Sequence, residues 1–254
     1  MTMTRSSLAL LVLATPAVLS AQVEPHRLQL QTSDGISLAA YEFTRPDTDA
    51  RSWVLLFHQA GSNALGEYGP IVPRLLDAGF DVLAIDQRSG GDLFGGTNGT
   101  VEALGTGTDA YCEGLPDLEA ALDYARERAP ERPAVLWGSS YSAALVVHLA
   151  ASRPQDVAGV LAFSPASGDP MEGCRPESAA AGLTVPLIAF RPGREAEIPF
   201  VAQQLETLRA QGHEVHVLDP GVHGSSSLVA ERVGADVSAA WDLVMGFLAR
   251  VRDR

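Results

Sequence analysis

The sequence of 254 residues contains no lysine, since all 18 of its basic residues are arginine. A Schiff-base lysine, the lysine of a Walker A phosphate loop and the strand lysine of protein kinases are therefore excluded. Acidic residues number 31, which gives a formal net charge of −13 and a pI of about 4.8. Such a surface repels phosphate backbones and carries no basic stripe, so we expect no nucleic-acid partner.

Long hydrophobic runs are also scarce, and the one near the N-terminus has the pattern of an export signal. Arg5 provides a positive start, residues 6–18 are mostly apolar, and Ser20 and Ala21 are small. The run is too short to span a bilayer comfortably, and polar residues follow it at once. We predict a signal peptide over residues 1–21, cleaved after Ala21 or after Ser20. The mature protein would be exported to a periplasm or outside the cell, with no membrane span.

The remaining composition is that of a globular protein, with 46% hydrophobic and 19% charged residues. The length suits one domain over residues 22–254. Short apolar runs alternate with helical patterns, which predicts an α/β fold with a mainly parallel sheet of about eight strands flanked by helices. The predicted strands span 26–31, 36–43, 53–57, 82–85, 135–137, 160–163, 186–190 and 215–218. The predicted helices span 70–78, 115–129, 140–152, 200–211 and 235–251, and the Gly-rich segment 90–107 is predicted to be a mobile loop at the rim of the site.

Only two cysteines are present, Cys112 and Cys174. In an oxidising compartment such a pair tends to become a disulfide. We predict that this bridge ties the loop after the fourth strand to the loop after the sixth. Two buried free thiols are the alternative, because spacing does not reveal pairing geometry.

Residues 135–144 have the pattern of a buried strand that runs into an Ala-rich helix. At 138–142 they contain the pattern G-x-S-x-S, in which Ser140 is central and Ser142 replaces the commoner glycine. A sharp turn from strand to helix exposes the central hydroxyl and tolerates only small residues two places before and after it. Ser140 is therefore a candidate nucleophile. The alternative is a helix N-cap or a structural turn, where serine is also favoured.

The loop after the third strand reads H-Q-A-G at 58–61 and resembles the H-G-x-G oxyanion loop of the α/β-hydrolase superfamily. Two further stretches agree: residues 86–91 resemble the D-x-R-G-x-G turn of that superfamily, and residues 76–80 resemble its L-x-x-x-G-F/Y helix ending. The resemblance covers nearly the whole mature chain. It is closest to dienelactone hydrolase-like proteins and small serine esterases, although true dienelactone hydrolases use a cysteine nucleophile. It implies the α/β-hydrolase fold, and the short loops indicate that no large cap domain is present.

The resemblance also implies an oxyanion hole formed by the backbone N–H groups of Ala60 and Tyr141. Gln59 stands where the superfamily usually has glycine. Either the loop bends differently there or the Gln59 side chain lines the pocket. His58 is a second pocket candidate, and we interpret it as a residue that orients the loop rather than as the general base.

In this superfamily the nucleophile, the acid and the histidine follow one another along the chain. That order implies His223 as the general base. Aligning Ile198-Pro199 with the end of the pattern H-G-x-x-D-x-x-V-P places Glu195 at the acid position. Asp169 is the alternative acid, followed by Glu197, and an ordinary surface carboxylate is the remaining interpretation of Glu195.

Together these residues imply acyl transfer to water without a cofactor or a metal. The first hypothesis is an exported serine carboxylesterase whose partner is a small-molecule ester with a small or medium acyl group. The second is an exported peptidase, amidase or polyester hydrolase of the same fold, because a fold does not specify the leaving group. The third is a non-catalytic protein of this fold that binds a ligand or a partner. The sequence specifies neither the substrate nor the oligomeric state.

Overall fold

The structure is a computed structural model that describes residues 24–45 and 52–252. The predicted signal peptide, residues 1–21, lies outside the described residues. None of the helices in the described part of the chain is long and apolar enough to cross a membrane.

A sheet of eight strands runs through the molecule in the order β1-β2-β4-β3-β5-β6-β7-β8. Strand β2 pairs antiparallel with β1 and β4, and all other neighbours pair parallel. The strands are β1 (His26–Gln31), β2 (Ser37–Phe43), β3 (Trp53–Phe57), β4 (Asp81–Ile85), β5 (Ala134–Ser139), β6 (Val157–Phe163), β7 (Leu187–Pro192) and β8 (Glu214–Leu218). The predicted mainly parallel sheet is confirmed, and each strand lies within a few residues of its expected range.

The described residues form ten α-helices. They are α1 (Ala64–Tyr68), α2 (Val72–Asp77), α3 (Gly99–Leu104), α4 (Leu115–Arg128), α5 (Tyr141–Ser152), α6 (Pro176–Ala180), α7 (Gly193–Ala196), α8 (Pro199–Ala210), α9 (Ala230–Val233) and α10 (Ser238–Val251). Helices α2, α4, α5, α8 and α10 correspond to the five predicted helices. Helix α10 begins three residues later than expected, and the five remaining helices, each six residues or shorter, were not expected.

One of these short helices corrects the expectation for segment 90–107, which is not a plain loop. Residues Gly99–Leu104 are helical because the Asn98 side chain caps them, accepting from the Val101 N–H at 2.8 Å. The same Asn98 donates to the Gln87 carbonyl at 2.9 Å. The segment is therefore fastened to the end of strand β4 rather than held only at its two ends.

Both faces of the sheet are covered by helices, which explains why strands β3 to β7 are buried at every position. Successive residues of β3 alternate between two cores, since Leu55 and Phe57 pack on one side and Val54 and Leu56 on the other. Helices α4 and α5 cover the first side, and α1, α2 and α10 cover the second.

The parallel strands end at one edge of the sheet, and this edge gathers the candidate residues. The oxyanion loop follows β3, Ser140 follows β5, Glu195 follows β7 and His223 follows β8. The connection between β6 and β7 holds a short 3-10 turn and helix α6, so no large cap covers this edge. The α/β-hydrolase architecture implied by the sequence is confirmed.

Cys112 and Cys174 form a disulfide, with their Cα atoms 5.7 Å apart. Cys112 lies in the 3-10 turn before α4, and Cys174 lies in the connection after β6. The expected pairing is therefore present, and it joins two loops at the edge where the candidate residues meet.

We predict that replacing both cysteines by serine lowers the free energy of unfolding by about 2–4 kcal/mol. The bridge closes a loop with a sequence separation of 62, and a loop of that size loses about 4 kcal/mol of chain entropy on closure. Denaturant unfolding of the oxidised wild type and of the double variant measures the difference, and the reduced wild type serves as the control. Equal stability of all three proteins would contradict the prediction.

Candidate active site

Strand β5 turns into helix α5 at Ser140, where the backbone adopts φ 61° and ψ −119°. A positive φ is uncommon for a residue other than glycine, so neighbouring contacts must hold this conformation. The Ser140 N–H donates to the Phe163 carbonyl at 2.8 Å, and the Ser140 carbonyl accepts from the Ala166 N–H at 3.1 Å. This conformation is typical of a turn that presents a serine hydroxyl at the edge of the sheet.

The small residues on either side of Ser140 are required by a close approach of two backbones. A Cβ atom at Gly138 would lie 2.5 Å from the Ser142 carbonyl oxygen and 2.6 Å from the Ala143 Cα. Ser142 is buried, and its hydroxyl donates to the Phe57 carbonyl at 2.6 Å and accepts from the Ser139 N–H at 2.9 Å. Serine in place of the usual glycine therefore adds hydrogen bonds without obstructing the turn.

His223 and Glu195 come from different loops and meet directly. The Nδ1 atom of His223 lies 2.6 Å from Oε1 of Glu195. The imidazole is the more exposed partner, with 44% of its side chain accessible against 20% for the carboxylate. Solvent and a substrate can therefore reach the far side of the ring.

Two backbone N–H groups of the loop that carries this imidazole donate to serine hydroxyls, one after β6 and one at the strand-to-helix turn that presents Ser140, called the elbow below. The Gly224 N–H donates to Ser164 Oγ and the Ser225 N–H donates to Ser139 Oγ, both at 3.0 Å. Ser139 directly precedes the elbow serine. The histidine loop is thus anchored beside the turn that presents Ser140.

A buried arginine holds the second oxygen of the carboxylate. Nη1 of Arg191 donates to Glu195 Oε2 at 2.9 Å, while its Nη2 donates to Gln204 Oε1 at 2.5 Å and to the Pro165 carbonyl. Burial alone would raise the pKa of Glu195, but the hydrogen bonds and charges of His223 and Arg191 lower it to about 2. Glu195 is therefore ionised at neutral pH and accepts the Nδ1 proton of the imidazole.

The other two acid candidates lie away from the imidazole. The Asp169 side chain is fully exposed, and its carboxylate lies 3.9 Å from an Arg175 nitrogen. Glu197 is also exposed. Among the described residues, His223 hydrogen-bonds to Glu195 and to neither alternative.

The two backbone N–H groups implied as an oxyanion hole belong to Ala60 and Tyr141. Tyr141 is the first residue of α5, so its N–H has no partner within the helix. Ala60 follows strand β3 by three residues. Within the described ranges neither N–H donates to another residue, so both remain free to bind a ligand oxygen.

His58 and Gln59 are both buried. Nδ1 of His58 lies 2.8 Å from the Gln59 carbonyl, and its Nε2 accepts from the Gln87 N–H at 2.9 Å. Burial lowers the pKa of His58, in agreement with the neutral tautomer that these two contacts require. His58 thus connects the loop after β3 to the end of β4, which is an orienting position rather than that of a base.

A cleft of about 110 Å³ lies beside Ala60, and its walls include Gly61, Asp109 and Tyr111. The Tyr111 ring stacks on the Tyr141 ring with their centroids 4.9 Å apart. Neither of the two pocket candidates, His58 and Gln59, lines this cleft.

Comparison with known proteins agrees with this fold. The chain belongs to the hydrolase family described as Serine aminopeptidase, S33, whose model matches residues 48–189, more than half of the chain. The resemblance to the α/β-hydrolase superfamily is thereby confirmed. No curated protein sequence matches the chain significantly.

Solved structures share the fold at low sequence identity. An esterase of Pyrococcus furiosus is 18% identical with a TM-score of 0.67, and the match covers 95% of this chain and 96% of the esterase. A thermostable carboxyl esterase of Bacillus coagulans is 13% identical with a TM-score of 0.66, covering 90% of this chain and 99% of the esterase. An acylaminoacyl peptidase of Pyrococcus horikoshii is 12% identical with a TM-score of 0.66, covering 92% of this chain and 42% of the peptidase.

Two residues of the site were missed in the sequence. Arg191 was not singled out, yet it lies at the end of β7 and is 4% exposed. A charged residue that directly follows the apolar run of a central strand was the available signal. Glu67, which is completely buried behind the oxyanion loop, carries no motif that would single it out.

We predict that Glu195→Gln lowers the free energy of unfolding most above about pH 4.5 and less as the pH falls towards 2. The folded protein holds the pKa of Glu195 at about 2, below its ordinary value of 4.5, so the ionised carboxylate stabilises the fold above the ordinary value. The difference between variant and wild type is at most about 3 kcal/mol. Denaturant unfolding at several pH values measures it.

Glu197→Gln is the matched control, because it neutralises an exposed carboxylate two residues away. A loss of stability in Glu195→Gln that stays constant between about pH 2 and pH 6 would refute the assigned ion pairs.

Proposed function

We propose that this hydrolase is a serine carboxylesterase that cleaves small or medium acyl esters through Ser140, His223 and Glu195. The observation that carries the proposal is the hydrogen bond between His223 and Glu195, in a loop anchored to the turn that presents Ser140. Acyl transfer needs a nucleophile, a base at the same edge of the sheet and an acid that orients the base.

In the proposed reaction, the Ser140 hydroxyl attacks the ester carbonyl while Nε2 of His223 takes its proton. The tetrahedral intermediate collapses as the imidazolium returns that proton to the leaving alkoxide, which departs as an alcohol. Water then attacks the acyl-enzyme by the same route and releases the carboxylic acid. Glu195 keeps the proton on Nδ1 and stabilises the imidazolium that forms in each half-reaction.

The negative oxygen of each intermediate would accept from the N–H groups of Ala60 and Tyr141. Removing one such donor typically costs about 2.7–4 kcal/mol of transition-state stabilisation. Both donors are backbone groups held by packed elements, so they need little reorganisation when the charge develops.

The cleft of about 110 Å³ beside Ala60 adjoins one proposed oxyanion donor and has Tyr111 in its wall, but neither Ser140 nor His223 lines it. Its volume is compatible with a short acyl or alcohol group next to that donor. The connection between β6 and β7 is too short to enclose a large substrate, so a longer portion would extend into solvent.

A peptidase or amidase is the second candidate. It is favoured by the family description, Serine aminopeptidase, S33, and by the similarity to an acylaminoacyl peptidase. Both reactions would use the same residues and differ in the leaving group that His223 must protonate.

We also propose that the protein acts outside the cytoplasm. The N-terminal pattern of a signal peptide and the disulfide between Cys112 and Cys174 support this proposal, because disulfides persist in oxidising compartments.

We predict that Ser140→Ala lowers kcat for p-nitrophenyl acetate by about four to six orders of magnitude, because no other hydroxyl can form the acyl-enzyme. Steady-state assays on short acyl esters and on aminoacyl anilides measure the loss and separate esterase from peptidase. Ser178→Ala, which removes an exposed hydroxyl on α6, should retain full activity. Near-wild-type turnover by Ser140→Ala would disprove the assignment of the nucleophile.

We predict that Glu195→Gln lowers kcat by about 10⁴-fold, since an amide no longer stabilises the imidazolium or the required tautomer. Asp169→Asn and Glu197→Gln should each stay within about twofold of the wild type, because both carboxylates are exposed and away from His223. The comparison uses kcat measured for all variants at about pH 8. A larger loss in Asp169→Asn than in Glu195→Gln would reassign the acid.

A further inference from the structure

A completely buried carboxylate lies behind the oxyanion loop and takes no part in the reaction described above. Glu67 of helix α1 is 0% exposed. Its Oε2 accepts from the Gln59 N–H at 2.7 Å. Gln59 directly precedes Ala60, so this hydrogen bond holds the chain at the residue before the proposed oxyanion donor.

The other oxygen of Glu67 points towards the elbow and the histidine loop. Oε1 has no hydrogen-bond partner among the described residues. A Cβ atom placed on Gly224, the residue after His223, would lie 3.5 Å from this oxygen and 2.3 Å from the Oγ atom of Ser139. One side chain therefore faces the oxyanion loop, the turn that carries Ser140 and the loop that carries the base.

The charged and titratable groups around Glu67 come from several elements. Arg232 of α9 donates from Nη1 to the Glu67 backbone carbonyl at 3.1 Å, and His223 approaches from the loop after β8. The phenols of Tyr68 and Tyr141 are the remaining titratable neighbours, and burial raises the pKa of both. The charge of Glu67 is the next cause for Tyr68, whereas for Tyr141 it contributes less than the charge of Asp117.

Burial dominates the ionisation of this carboxyl. It raises the pKa of Glu67 to about 7, and the Ser139 hydroxyl, the Gln59 N–H, Arg232 and His223 only partly offset the effect. Both protonation states are therefore populated near neutral pH.

We propose that Glu67 is a positioning residue of the hydrolytic site, active as the carboxylate, which holds the oxyanion loop through Gln59 and couples turnover to pH. This inference rests on the proposed function and adds a regulation of the same site.

The ionised form is favoured for turnover for two reasons. A carboxylate accepts the Gln59 N–H more strongly than a carboxylic acid does, which fixes the direction of the Ala60 amide. Its negative charge also lies near His223, where a positive imidazolium forms in the transition state. Protonation removes the negative charge and weakens the hydrogen bond that Oε2 accepts from the Gln59 N–H.

The test is the pH dependence of kcat/KM for p-nitrophenyl acetate between about pH 5 and about pH 9, together with kcat and KM at the upper end. In the wild type, the acid limb should contain the ionisation of Glu67 beside one other, so its slope approaches two. Glu67→Gln should leave one ionisation and lower kcat by about tenfold to a hundredfold with KM within about twofold, the effect of one charge-assisted hydrogen bond. Glu231→Gln, an exposed carboxylate on α9, should match the wild type.

A wild-type acid limb with a single ionisation would overturn the inference while leaving the proposed function intact. A folded Glu67→Gln variant that keeps the wild-type rate would also overturn it. A variant that loses rate but keeps two ionisations would do the same, because a merely structural residue behaves in that way. Absence of any turnover by the wild type on esters and anilides would instead overturn the proposed function, and the inference with it.

Ser139→Ala provides a second variant if Glu67→Gln does not fold. Because the Ser139 hydroxyl lowers the pKa of Glu67, its removal should move the second ionisation to higher pH. The variant also loses the contact of this hydroxyl with the Ser225 N–H, so its readout is the position of that ionisation and not the rate. A second ionisation that stays unmoved would contradict the assignment to Glu67.

Discussion

The close approach of helix α5 to the end of strand β5 is the constraint on which the site depends. The two backbones approach so closely that no Cβ atom fits at Gly138. The chain reverses direction sharply between the strand and the helix, and Ser140 adopts a positive φ at this turn. A conformation of this kind costs about 1–3 kcal/mol. It is offset by the hydrogen bonds of Ser140 to the backbone after β6 and by burial of most of α5 against the sheet.

Buried polar groups then hold the surrounding loops in place. Arg88 donates to both oxygens of Asp117 through its backbone and side chain, and the two side chains are 7% and 0% exposed. Asp86 accepts from the Ala64 N–H at 2.8 Å and from the Gly99 N–H at 2.7 Å. Because removing one partner would leave a buried charge unpaired, each network fixes one arrangement of the loops after β3 and β4. The proposed oxyanion donors thus rest on a rigid support.

The sequence predicted the features that depend on local pattern. The eight strands were found because buried parallel strands are short, apolar and bounded by turns, and the G-x-S-x-S pattern indicated the elbow through its steric demand. Helix α3 was missed because six residues are too few to be helical alone, and its cap and hydrogen bonds come from distant segments. The ion pair of Arg191 with Glu195 joins residues four apart in one segment, so its signal was present in the sequence. The burial of Glu67 depends on several elements meeting in space, and no pattern within one segment records such a meeting.

The central claim of the account is that Ser140 is an activated nucleophile. The most direct measurement is the intact mass of the protein after incubation with a small fluorophosphonate, with Ser140→Ala treated in parallel. Phosphonylation requires a serine whose proton a neighbouring base can take, so it reports the elbow, the base and the oxyanion donors without reference to any substrate. The account predicts a single adduct on the wild type and none on the variant. No adduct on the wild type, or an equal adduct on both proteins, would contradict it.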